Sequence, residues 1–223
     1  MSASRLTERL LELPLFQGMS RNDLKEVTET AKFHQFSYTK GKIVVSEGEV
    51  CDKLYFLLKG TLSLTGYSDD RAYSITERIS APDILQPERI FGLIQRYTKT
   101  FKTLEDCIFI CLSKQETMKL SDDYEIFRLN LLNIICTQSQ RLTRFPLRVK
   151  PVGIRNKIVR FMENRCLSPA GEKTLHIKME RLASEIGESR LNLSRELNAM
   201  NEEGIIELRR GEIHIYALEK LTV

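Results

Sequence analysis

Between Ser189 and Asn198 the chain reads SRLNLSRELN, and its polar side chains are of the types that read nucleic acid. A guanidinium can donate two parallel hydrogen bonds to guanine O6 and N7, and a carboxamide can pair with adenine N6 and N7. Arg190, Asn192 and Arg195 are therefore candidate base readers. Ser189 and Ser194, beside the free amides at the start of a helix, suit phosphate oxygens. Lys178 upstream and Arg209 and Arg210 downstream are further candidates for the phosphate backbone.

Other chemistries find less support. His34, His176 and His214 stand singly on β-type segments, and no Ser/His/Asp or Cys/His arrangement, HExxH or P-loop occurs. An enzyme is not expected. The five cysteines are odd in number and lack paired spacing, which argues against a disulfide framework. Cys107 and Cys111 share one face of the strand pattern CIFICL, which reads as a buried β face. No metal site is expected.

A reader of bases must be held by a scaffold, and the flanking pattern supplies one. Leu175 and Ile177 alternate with His176 and Lys178 as a short strand. Glu180–Ile186 forms a short helix with Leu182, Ala183 and Ile186 inward, and Gly187 supplies the left-handed turn that ends it. Ser189 is a fitting N-cap for the next helix, whose Leu193, Leu197 and Met200 form the buried stripe. After Gly204, Ile205-Ile206 begins a strand, Arg209–Glu212 turns, and Ile213 and Ile215 alternate with His214 and Tyr216. This is a winged helix-turn-helix, with the second helix as the reader. A helical hairpin also occurs in structural bundles, and a solvated hairpin tip is the plain reading of Arg209-Arg210.

Composition agrees with a soluble globular chain: 223 residues, 42% hydrophobic and 29% charged. No apolar run reaches the roughly 20 residues that span a bilayer. MSASRLTERLLELPLF reads as an amphipathic helix ending near Pro14, without the uncharged core of a signal peptide. No membrane partner and a cytoplasmic location are the default expectation. Residues 147–223 carry 14 Lys+Arg against 11 Asp+Glu, a balance of 14 − 11 = +3. Residues 1–146 carry 20 against 19, or 20 − 19 = +1. The excess falls on the side of the reader, though it is small for a DNA binder.

From Phe33 to Ser113 the chain turns to short β-type runs. Strands are expected at Phe33–Ser37, Lys42–Val45, Lys53–Lys59, Leu62–Tyr67, Tyr73–Ile79 and Cys107–Leu112. Turns fall at Lys40-Gly41, Glu47-Gly48-Glu49, Lys59-Gly60 and Ser68-Asp69-Asp70. Such spacing suggests a small antiparallel barrel or jelly roll. Glu125–Arg144 follows as a helix, with Ser121-Asp122-Asp123 offering N-caps. It bears two apolar stripes, one through Leu129, Leu132, Ile135 or Cys136 and Leu142, the other through Phe127, Leu131 and Ile134. One stripe can lie on the β domain and the other calls for a partner, most economically a second copy. Burial between two domains of one monomer is the alternative. PLRVKP, between Pro146 and Pro151, marks a hinge, followed by a helix from Val152 to Arg165.

The order of these elements resembles the CRP/FNR superfamily of bacterial transcription regulators. The likeness rests on Lys40-Gly41-Lys42-Ile43, Glu47-Gly48-Glu49 and Leu54–Gly60 in the β-roll, and on Ile186–Arg190 and Arg195 in the reader. It implies an α+β fold: an antiparallel, jelly-roll-like β-roll, a long dimerisation helix, then a winged helix-turn-helix. The division expected is 1–120 sensor, 121–146 dimer helix and 147–223 DNA-binding domain.

The resemblance further implies an effector pocket around Glu88, Arg89, Arg96, Tyr97 and Thr98. The cyclic AMP binders of the family carry Gly-Glu and, some ten residues on, Arg-Ser. Here Glu88 follows Pro87, and Tyr97-Thr98 stands in the place of Arg-Ser, so cyclic AMP is not expected as effector. An iron–sulfur cluster is not expected either, since no cysteine precedes Cys51. Leu191 stands where the best-known members have an acidic residue that reads cytosine, so a different half-site is expected. The function implied is a homodimer reading an inverted repeat of double-stranded DNA, with RNA polymerase as a further partner for an activator. A ligand-binding module whose winged helix contacts protein is the alternative.

Overall fold

The computed structural model describes residues 3–144 and 148–221. The side chain of Leu142, and Pro146 and Leu147 of the hinge segment, lie outside the described residues. In chain order, α1 (Ala3–Glu12) and α2 (Arg21–Thr30) precede β1 (His34–Tyr38), β2 (Ile43–Val45) and β3 (Lys53–Lys59). Then come β4 (Thr61–Tyr67), β5 (Tyr73–Ser80), β6 (Asp83–Ile84), β7 (Thr100–Thr103) and β8 (Cys107–Ser113). Two helices follow, α3 (Lys114–Asp123) and α4 (Glu125–Arg144). The last third holds α5 (Ile154–Glu163), β9 (Lys173–Ile177), α6 (Met179–Ile186), α7 (Arg190–Glu202), β10 (Ile206–Arg209) and β11 (Glu212–Ile215). The six expected strands and the expected helices are present, with ends shifted by one to two residues.

The chain forms two compact units, one of Met1–Leu62 with Ile79–Thr143, the other of Ser63–Arg78 with Arg144–Val223. In the first, a four-stranded antiparallel sheet runs β1-β8-β3-β6, and β2 pairs with β7. Residues Leu54 to Leu58 of β3 are all buried, which explains why their alternation is ragged: both faces of this strand are covered. Cys107 and Cys111 are buried thiols on β8. Gly60 permits the turn between β3 and β4, for its φ is +102° and a Cβ there would lie 2.5 Å from Cys107 Sγ.

Two features of this unit depart from the sequence reading. Ser121-Asp122-Asp123 do not cap α4; they are the last turn of α3, and the helix ends at an extended Tyr124. The start of α3 is capped by Ser113, whose hydroxyl accepts from the Glu116 amide at 3.1 Å, while the Glu116 carboxylate accepts from the Lys32 amide. On α4, Phe127 and Leu131 are buried, with the Phe127 ring 5.2 Å from that of Phe16. Asn130 ties the helix to the loop before α2 by donating to the carbonyls of Leu15 and Gln17. Leu129 and Leu132 remain about half exposed, at 48% and 50%.

The second unit is a winged helix with an added hairpin. Its antiparallel strands follow the order β10-β11-β9-β5-β4. Leu175, Leu182, Leu193, Leu197, Ile206 and Ile213 anchor one apolar core, joined from the hairpin by Ile75 and Tyr73. A fully buried ion pair fastens the hairpin: Lys173 Nζ lies 3.3 Å from Glu77 Oε2, each side chain 1% exposed. Glu77 also accepts from the amides of Leu167 and Ser168 at 2.8 and 3.0 Å, and Lys173 donates to the Ala170 carbonyl. This unit takes in Ser63–Arg78 as well as the residues after 147, and pairing between strands so far apart in the chain leaves no trace in local periodicity.

Candidate nucleic-acid interface

Ser189 caps α7, its hydroxyl accepting from the Asn192 amide at 3.1 Å, and Gly187 closes α6 in the left-handed conformation. These two residues set the turn, and the stripe Leu193, Leu197 and Met200 is wholly buried beneath α7. What remains outward on its first two turns is Arg190, Leu191, Asn192 and Arg195, with Ser194 half-buried. The helix is braced from α5. Arg155 donates to Glu196 at 3.0 Å and forks onto both Glu203 oxygens at 3.0 and 2.7 Å. That fork holds the Glu203 carboxyl below the usual carboxylate range.

Arg190, Lys178, Arg209 and Arg210 border one groove of about 670 Å³ between the start of α6, the start of α7 and the wing. The other expected readers, Asn192 and Arg195, stand along the exposed side of α7. Within the groove the cations differ. Arg190 Nη1 lies 3.2 Å from Glu180 Oε1, and Arg209 donates to Glu207 at 2.9 Å and approaches Glu212. Lys178, Arg195 and Arg210 have no ion-pair partner among the described residues. Glu180 was not singled out from the sequence, since a contact between two helices ten residues apart is outside any helical period.

The residues of the expected effector pocket lie in the first unit. Gln86, 3% exposed and in a left-handed conformation, stands at its centre. Its amide nitrogen donates to Thr98 Oγ1 at 2.7 Å and reaches Glu88 at 3.4 Å, while its oxygen accepts from the Thr98 amide. Arg89 lies 3.6 Å from Glu88. Glu88, Arg89 and Thr98 are thus gathered around a residue that sequence reasoning missed. The other two point elsewhere: Arg96 donates to the Gly48 carbonyl at 2.7 Å, and Tyr97 is 2% exposed with its hydroxyl donating to the Lys53 carbonyl. Burial pushes the Tyr97 phenol well above its ordinary range. No group of three or more His, Cys, Asp or Glu among the described residues could hold a metal. No helix among them is long and apolar enough to cross a membrane.

A β-roll followed by a winged helix-turn-helix defines a class of two-module regulators. The model of the cyclic nucleotide-binding domain matches residues 35–124, and that of the Crp-like helix-turn-helix domain matches residues 154–222. The chain belongs to the CRP/FNR superfamily of transcription regulators.

Among solved structures, the sensor domain of the transcriptional regulator DNR from Pseudomonas aeruginosa superposes with a TM-score of 0.54 at 18% identity. That match covers 68% of this chain and 98% of the other. The Thermus thermophilus catabolite activator protein matches over 93% of this chain and 96% of its own, at 20% identity and a TM-score of 0.49. Potassium channel SKOR of Arabidopsis thaliana is 27% identical over 153 residues, 66% of this chain. The match spans only 16% of that channel.

Proposed function

We propose that the chain is a sequence-specific DNA-binding transcription regulator that acts as a homodimer on an inverted repeat. The observation that carries this reading is the exposed, Ser189-capped start of α7 bearing Arg190, Asn192 and Arg195, flanked by the cations of a wing. Arg190, Asn192 and Arg195 contact base edges; Lys178, Ser189, Ser194, Arg209 and Arg210 contact phosphates. The half-exposed Leu129 and Leu132 of α4 support pairing with a second copy, whose reader would enter the next major groove about 34 Å away. An activator would in addition meet RNA polymerase. Membership of the family supports regulation as its activity, and a soluble chain without a membrane partner fits that reading.

A small-molecule effector would sit in the β-roll around Glu88, Arg89 and Thr98. The Gln86 bonds that fill this place, and the commitment of Arg96 and Tyr97 elsewhere, disfavour cyclic AMP. The test is binding of labelled duplexes by the full chain across a salt series. Sequence-selective affinity that falls steeply with salt is expected. Salt-insensitive or undetectable binding to duplex DNA would favour a winged helix that contacts protein.

A further inference from the structure

We infer that Glu180 is a positioning residue for base recognition, holding the Arg190 guanidinium so that one edge of it faces a single base pair. This rests on the DNA-reading role proposed for α7. The starting point is an anomaly of charge. The groove is bordered by Lys178, Arg190, Arg209 and Arg210, yet Glu180 on the first turn of α6 adds a carboxylate to its lining, apart from Glu212, which faces Arg209 and His176 within the strands. A surface that only attracts phosphate gains nothing from such a group, for it repels the backbone it faces. Nor does fold stability account for it. Both side chains are more than three-fifths exposed, at 62% and 69%, and an ion pair of that exposure contributes little.

Geometry suggests another use. Glu180 Oε1 lies 3.2 Å from Nη1 of Arg190, an ion-pair contact, and a guanidinium approached at one nitrogen keeps further N–H donors on its remaining edge. A free arginine must order several torsions on binding, whereas one already held presents its planar fork with less entropy to lose. When the groove dries against DNA, the shared carboxylate also strengthens, because the surroundings lose water. Lys178 and Arg210 have no such partner among the described residues and are free to follow charge, and Arg209 is paired within the wing, to Glu207 and Glu212. Leu191, 60% exposed beside Arg190, offers no polar group to do the same work.

The experiment uses the full-length chain and an operator that it selects from randomised duplexes. Dissociation constants are measured for the parent, Glu180→Gln, Glu180→Asp, Arg190→Ala and Glu180→Gln/Arg190→Ala. Each is tested on the operator, on every single base-pair change of it, and on an unrelated duplex. Arg190→Ala identifies the base pair that Arg190 reads. Glu180→Gln is expected to lower discrimination at that pair by about tenfold, leave the other positions unchanged, and bind the unrelated duplex more tightly. Glu180→Asp restores part of the discrimination, the thermal midpoint stays unchanged, and the double variant discriminates no worse than Arg190→Ala. A uniform change on all duplexes in Glu180→Gln would overturn the inference while leaving DNA reading intact. So would a further loss in the double variant. A parent that selects no operator would overturn the DNA reading itself, and this inference with it.

Discussion

At the scale of single residues, the cations proposed to read bases and those proposed to hold phosphates differ in what their loss should do. Arg190→Ala should cost on the order of 1–3 kcal/mol on the cognate operator and relax one base pair, whereas Arg210→Ala should weaken all sequences alike and reduce the salt slope by about 1. Binding isotherms on cognate and scrambled duplexes at several salt concentrations distinguish the two. Asp83 makes a second prediction at this scale. Burial raises its carboxyl above the ordinary value of 3.8, against a hydrogen bond from the Ile84 amide. The folded state therefore keeps this proton after the unfolded chain has lost it, and stability contributed by Asp83 falls as pH rises through the carboxylate range. Asp83→Asn should raise the thermal midpoint at neutral pH, and the gain should shrink as the pH approaches the unperturbed value. The Ser189 cap and the Gly187 turn were legible in the sequence because capping acts over three residues. The Glu180–Arg190 pair and the Gln86 bridge to Thr98 were not, because each joins residues brought near only by folding.

At the scale of elements, the ladder between β5 and β9 is the feature on which the second unit depends. Ile75 faces Leu175 across it, and the Glu77–Lys173 pair lies at its end. Removing one member of a buried pair leaves a charge without compensation, at a cost of about 3–5 kcal/mol. Glu77→Leu should be worse than Lys173→Met, since it also strips the Leu167 and Ser168 amides of their acceptor. The double variant should recover part of the loss. Urea unfolding of the three proteins checks that order; equal costs, or additivity in the double variant, would contradict it. Long helices with clear stripes, and strands bounded by glycine, were readable from periodicity. The two-residue β6 was too short to show a period, and α3 was missed although its Ser113 and Glu116 carry a capping signal.

At the scale of the whole molecule, the two stripes of α4 have different fates. Phe127 and Leu131 are buried in their own unit, and Leu129 and Leu132 are left half exposed beside Ile126. Leu129→Glu/Leu132→Glu should therefore yield a monomer in sedimentation while the fold and thermal midpoint persist, because neither residue belongs to the core. Its affinity for an inverted repeat should fall to that for a single half-site. The most direct measurement of the central claim is selection of randomised duplex DNA by the full-length chain. The account predicts enrichment of a two-fold symmetric motif, with half-site centres separated by about one helical turn. Enrichment of no motif, or of one without two-fold symmetry, would contradict it.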